Sequence, residues 1–146
     1  MNVLEEFNPK YNFNVKQTKN EYSKVNNLAL RGFEVATYDH NTKEVVSHVK
    51  KAVFDYLLRS VNFTVEETFD EELKGWTVYI PELNLYGEGD TKESAVSDLI
   101  NTIDEYIALY TEMDFLSKHE SPEKQAAIMK LMRCKDDDAM RKVLGV

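Results

Sequence analysis

The sequence predicts an α+β protein in three stretches: a β-α-β-β-α module over residues 1–60, an antiparallel sheet packed by one long helix over 61–112, and a helical tail over 113–146. Three observations carry that reading. Trp76, Val78 and Ile80 alternate with Thr77 and Tyr79, the period of a half-buried strand. Ala95, Val96, Leu99, Ile100, Ile103, Tyr106, Ile107 and Tyr110 recur at helical spacing, so one stripe lies across the sheet while Asp98, Asn101, Asp104 and Glu105 face water. Residues 11–58 switch between the two periods in the order strand, helix, hairpin, helix.

In chain order, residues 1–10 show no sustained period and are a lead-in. Tyr11, Phe13 and Val15 alternate with polar residues as a short strand. Tyr22, Val25, Leu28 and Ala29 then share a helical face, and Gly32 stands where a helix commonly stops. Phe33 to Tyr38 and Glu44 to Val49 are β-rich runs around the turn residues Asp39-His40-Asn41-Thr42. Ala52 to Leu58 make a short, strongly apolar helix. Residues 62–69 supply a strand, the acidic turn Asp70-Glu71-Glu72 leads into Trp76, and Pro81 ends that strand because it has no N–H to donate. Leu83 to Tyr86 read as the return strand, with Gly87 and Gly89 expected at positive φ. Asp90 and Thr91 can both accept a backbone N–H at the start of the long helix, and Glu93 stands at capping-box spacing from Asp90. Ser121-Pro122-Glu123 starts the last amphipathic segment as N-cap, first-turn proline and first-turn acid.

A chain of 146 residues can bury a core without metal or disulfide staples. The single cysteine, Cys134, forms no internal bridge, and the opening MNVLEEFNPK lacks the basic start and apolar core of a signal peptide, so the expected location is the cytoplasm. No apolar run approaches the roughly 20 residues that span a bilayer, so no membrane partner is expected. The net charge of −8 is unevenly spread: residues 1–60 hold nine Lys/Arg against seven Asp/Glu, residues 61–146 nine against nineteen. That split fits two regions with different partners, or an acidic half that is simply a solvated surface.

Catalytic signatures do not stand out. There is no Gly-rich phosphate loop, Gly-x-Ser-x-Gly elbow or His-Glu-x-x-His pair, and nothing in the spacing brings His40, His48, His119 and Cys134 together. Cys134, between Arg133 and Lys135, is the one thiol that neighbouring cations could activate. The carboxylates at 70–72 lack EF-hand spacing and read as a solvated turn. The expectation is a non-enzymatic protein without cofactor or metal.

Family resemblances sharpen this. Pro81-Glu82-Leu83 followed by Gly89, Thr91 and Ala95 resembles the hairpin and helix start of the HicB-like antitoxin domain. The order of elements in residues 11–58 resembles the N-terminal dimerisation and DNA-binding module of Phd/YefM antitoxins. Together with the ending Pro122, Ile128, Leu131, Asp136-Asp137-Asp138 and Val143, nearly the whole chain is similar to the Phd-like antitoxins of RelE-type toxins. The resemblance implies a homodimeric antitoxin that neutralises a RelE-like ribonuclease toxin by protein–protein binding and represses its own operon.

By the same resemblance, operator DNA would meet Asn14, Lys16, Gln17, Thr18, Lys19, Lys24 and Arg31. Lysines neutralise phosphates, and the amides and hydroxyls read base edges or fix the backbone. The toxin would meet the Met-rich tail through Phe115, Leu116, Ile128, Met129, Leu131, Met132, Met140, Val143 and Leu144, since methionine adapts to irregular grooves. Three alternatives stay open: a first module that only pairs chains without touching DNA, a tail that packs back on the chain's own core, and a solitary structural or ligand-binding module descended from antitoxins, with neither toxin nor DNA.

Overall fold

The computed structural model describes residues 8–146, with the side chains of Phe115 and Ser117 left aside. The chain divides into two compact units, one up to Leu57 and one from Leu58 on.

The first unit opens with a 3-10 turn, Pro9–Tyr11, and strand β1, Asn12–Asn14; helices α1, Val15–Asn20, and α2, Tyr22–Leu30, follow, then β2, Val35–Asp39, β3, Glu44–His48, and α3, Lys51–Leu58, which reaches the boundary. β1 pairs with β2 in parallel and β2 with β3 antiparallel, in the order β1-β2-β3. Parallel pairing needs a crossover, and α1 and α2 provide it. The single expected helix is thus two, and Val15 belongs to α1 rather than the strand. The break falls at Glu21, whose φ of −115° and ψ of 32° leave the helical region. Phe13, Val25, Ala29 and Val35 form the core of this unit. α2 ends as expected at Gly32, with φ of +92°; its N–H reaches Ala29 O at 2.9 Å and Phe33 N–H reaches Leu28 O at 3.2 Å, which satisfies the last carbonyls.

In the second unit β4, Glu66–Asp70, β5, Gly75–Ile80, and β6, Leu85–Gly89, form an antiparallel meander, followed by α4, Lys92–Glu112, α5, Asp114–Lys118, α6, Pro122–Met132, and α7, Asp137–Leu144. Val78 and Ile80 face α4, whose Ala95, Val96, Leu99, Ile100 and Ile103 are all buried. Each Val, Leu or Ile side chain removed from water contributes about 1.5–3 kcal/mol, which makes this stripe the main stabilising feature of the unit.

Two expectations about the hairpin change. Gly87 and Gly89 are ordinary strand residues rather than positive-φ residues; the turn conformation falls on Asn84, with φ of +53°, so β6 starts at Leu85. Glycine is needed here because α4 lies against β6. A Cβ on Gly87 would collide with Leu99 N and Ala95 O, and one on Gly89 with Ser94 and Ala95. Of the two expected cap residues the helix uses Thr91, and the reciprocal partner is Ser94 rather than Glu93: Thr91 Oγ1 accepts from Ser94 N–H at 3.0 Å while Thr91 N–H donates to Ser94 Oγ at 3.0 Å.

The tail does not stand apart. Ala127, Ile128 and Leu131 of α6 and Met140 and Leu144 of α7 enter the same core as the α4 stripe. Ser121 caps α6 as expected, through its hydroxyl and Lys124 N–H at 3.2 Å. Arg141 of α7 pairs with Glu93 at 3.1 Å and donates to Ser97 Oγ at 3.0 Å, both on α4.

Candidate functional site

In the first unit, the parallel register sets Asn14 beside Tyr38, so the start of α1 meets the turn after β2. A groove of about 530 Å³ lies there, lined by Asn14, Val15, Lys16, Lys19, Asp39, His40 and Asn41. The seven polar residues proposed for DNA separate into four kinds. Lys16 and Lys19 are exposed at this groove and form its cationic wall. Asn14 and Gln17 cap each other, Gln17 N–H to Asn14 Oδ1 at 2.8 Å and Asn14 N–H to Gln17 Oε1 at 2.9 Å, which fixes the angle at which α1 leaves the strand. Thr18 points inward, 2.7 Å from Thr37 Oγ1, which in turn lies 3.0 Å from His48 Nε2.

Lys24 on α2 and Arg31, its C-cap, lie elsewhere, over aromatic rings. Lys24 Nζ is 5.7 Å from the Phe13 centroid and Arg31 Cζ 5.2 Å from that of Phe33, which itself stacks on Tyr11 at 5.4 Å. Sequence reasoning missed His40 and Asn41, read only as turn residues. Asp39 holds that turn by accepting from Asn41 N–H at 2.8 Å. The one signal that could have placed them beside Lys16 is the strand-helix-strand order, which makes β1 and β2 parallel neighbours.

In the second unit, the residues proposed for the toxin also separate. Ile128, Leu131, Met140 and Leu144 are core residues, between 0 and 4 % exposed. Leu116 and Val143 are half-buried. Met129 and Met132 are 43 % and 49 % exposed and available to a partner as the chain stands. The side chain of Phe115 lies outside the described residues.

Cys134 has no activated thiol: burial pushes its pKa up and Asp136 adds to the rise, against a smaller opposing effect of Lys130. Its Sγ lies 3.9 Å from Lys130 O. Among the described residues no group of three or more His, Cys, Asp or Glu side chains is placed to hold a metal ion, and no helix is long and apolar enough to cross a membrane.

Comparison with known proteins follows the fold. No curated protein matches the chain. A crystal structure from Syntrophomonas wolfei subsp. wolfei, described as an antitoxin part of a proposed toxin/antitoxin system, superposes with a TM-score of 0.65 at 16 % identity, over 90 % of this chain and 94 % of that one. At that identity the likeness establishes the fold. A family model described as "antitoxin of toxin-antitoxin, RelE / RelB, TA system" matches residues 10–146, both units and the tail included. The chain therefore belongs to the PHD-like family of antitoxins of RelE/RelB toxin–antitoxin systems.

Proposed function

We propose that this antitoxin neutralises a RelE-like ribonuclease toxin by protein–protein binding through its second unit, and that two chains pair through the first unit to grip operator DNA in the cytoplasm. The observation that carries this reading is the charge division between the units. The first unit holds eight Lys/Arg against seven Asp/Glu, the second ten against nineteen. A surface of that acidity speeds encounter with a basic RNA-cutting protein and repels nucleic acid, so the two tasks fall on different units.

Pairing of chains is supported by the apolar side chains the first unit leaves exposed, among them Val15, Tyr22, Leu30 and Val46 at 49, 60, 55 and 60 %. Lys16 and Lys19, beside His40 and Asn41, supply phosphate and base contacts at the α1 groove. Met129 and Met132 supply adaptable apolar contact for the toxin.

The test is co-expression of the full chain with the toxin encoded beside it, followed by capture and a mobility shift on the promoter they share. Deletion of 113–146 is the wrong probe, because it strips Ile128, Leu131, Met140 and Leu144 from the core. Met129→Ser with Met132→Ser leaves the core intact and is expected to weaken capture. Lys16→Ala with Lys19→Ala is expected to weaken the shift and to lower the salt slope by about 1 for each phosphate no longer neutralised. A wild-type chain that captures no toxin at low salt ends the reading.

A further inference from the structure

The two edges of the second unit's sheet differ. At β6 an edge amide is already taken by α4: Glu88 N–H donates to Asp98 Oδ2 at 2.8 Å. At β4 the edge is open. Among the described residues β4 pairs with β5 alone, and all five of its residues are exposed. The strand is nevertheless fastened to its sheet: Glu67 pairs with Lys92 of α4 at 2.6 Å, and the Phe69 ring lies 5.3 Å from that of Trp76. An ordered strand with an unpaired row of N–H and C=O groups is a template for a further strand.

Charge decides what that strand is. Residues 66–90, the whole meander, carry eight carboxylates and one lysine, and five of the eight lie at Glu66, Glu67, Asp70, Glu71 and Glu72. A second copy of β4 would set these against themselves, and like charges directly opposite destabilise a strand pair. The free edge thus rejects its own kind and nucleic acid while favouring lysine and arginine. The outer face continues the invitation: register places Glu66, Tyr79 and Tyr86 in one row and Thr68, Thr77 and Glu88 in the next, so alternate side chains of an added strand meet carboxylates, hydroxyls and tyrosine rings.

We infer that the free edge of β4 takes up an extended, lysine- or arginine-rich segment of the toxin as a fourth strand of this sheet. This rests on the toxin-binding reading above and names where and how the contact is made. The affinity comes from backbone pairing along Glu66–Asp70, and the preference for a basic segment from the carboxylates around it.

Hydrogen exchange on the full chain, free and saturated with the co-encoded toxin, tests it. Outward amides of residues 66–70 are expected to slow by about tenfold or more, with the Glu88 amide of β6 unchanged because Asp98 already holds it. Charge reversal by Glu66→Lys with Glu71→Lys spares Asp70, which holds the turn through Glu72 and Leu73 N–H, and Glu67, which holds Lys92. It is expected to weaken capture about tenfold or more. Toxin bound with 66–70 exchanging as before, or captured equally by the reversed chain, overturns the edge while leaving the toxin-binding reading intact. Failure of the wild-type chain to bind removes both.

Discussion

The two units solve the same packing problem with different completeness. The first has a core of four buried residues and leaves Val15, Tyr22, Leu30 and Val46 in water; the second buries thirteen residues in one cluster, from Val78 to Leu144. Both units leave apolar side chains exposed, Leu73 and Tyr86 of the second among them, but the first has the smaller core to hold them, so the proposed pairing of chains would add proportionately more stability there. The contrast teaches where partners act. On the proposals above, a partner of the first unit would add to a small core, and a partner of the second would meet an edge and a surface that the fold does not need for itself.

The sharpest way to break the comparison is at the strand-to-helix contact of the second unit. Gly87→Ala drives a Cβ into Leu99 N and Ala95 O, with Leu99 Cα only 2.7 Å away, all of it backbone that cannot swing aside. The expected cost is about 3 kcal/mol or more. Trp76, the only tryptophan in the chain, lies on β5 opposite Gly89 and reports the unfolding through its fluorescence. A variant with wild-type denaturation would mean that β6 and α4 do not approach as described.

A matched pair of cavities sharpens the same point. Leu99→Ala is expected to cost about 2–5 kcal/mol at any protein concentration, because its surroundings belong to one chain. Val25→Ala, in the four-residue core, removes less buried surface, about 1–2 kcal/mol. The transition that it lowers should itself move up with protein concentration, in wild type and variant alike, since the proposed pairing of chains adds stability by mass action. Melting curves over a hundredfold concentration range test this; a transition that stays put would sink the dimer proposal.

These contrasts also explain what was legible in the sequence. The α4 stripe was readable because every third or fourth residue from Ala95 to Ile103 is apolar, and periodicity alone sets which side faces inward. Gly87 was visible as a glycine but not as a contact: local sequence does not distinguish a residue chosen for positive φ from one chosen for lack of a Cβ under a helix. The apolar faces of α6 and α7 were visible too, yet Ile128 and Met140 look alike whether they meet their own core or a toxin. In the first unit, Thr18 and Lys19 are neighbours in sequence with opposite fates, one turned to Thr37 and the other to the groove. Only the depth of α1 against its sheet tells them apart.

The smallest expected effect tests whether α7 belongs to the second core by strain as well as by contact. Asp104 on α4 has its carboxyl raised above the ordinary range, first by desolvation and then by Asp137 at the start of α7, which both repels and hydrogen-bonds it. A carboxyl raised in the folded state favours the protein only when protonated. Its contribution is therefore fully present below the unfolded pKa and is lost as pH rises through the folded one, leaving a repulsion at neutral pH. Asp104→Asn is expected to stabilise the chain at pH 7 by less than about 0.5 kcal/mol, since Asp104 is exposed and solvent screens the pair. Denaturation midpoints across pH 4 to 7 should show that advantage fading as the solution becomes more acid. An advantage independent of pH would place the effect in the helix propensity of α4; none at pH 7 would mean that α7 does not hold Asp137 against α4 in solution.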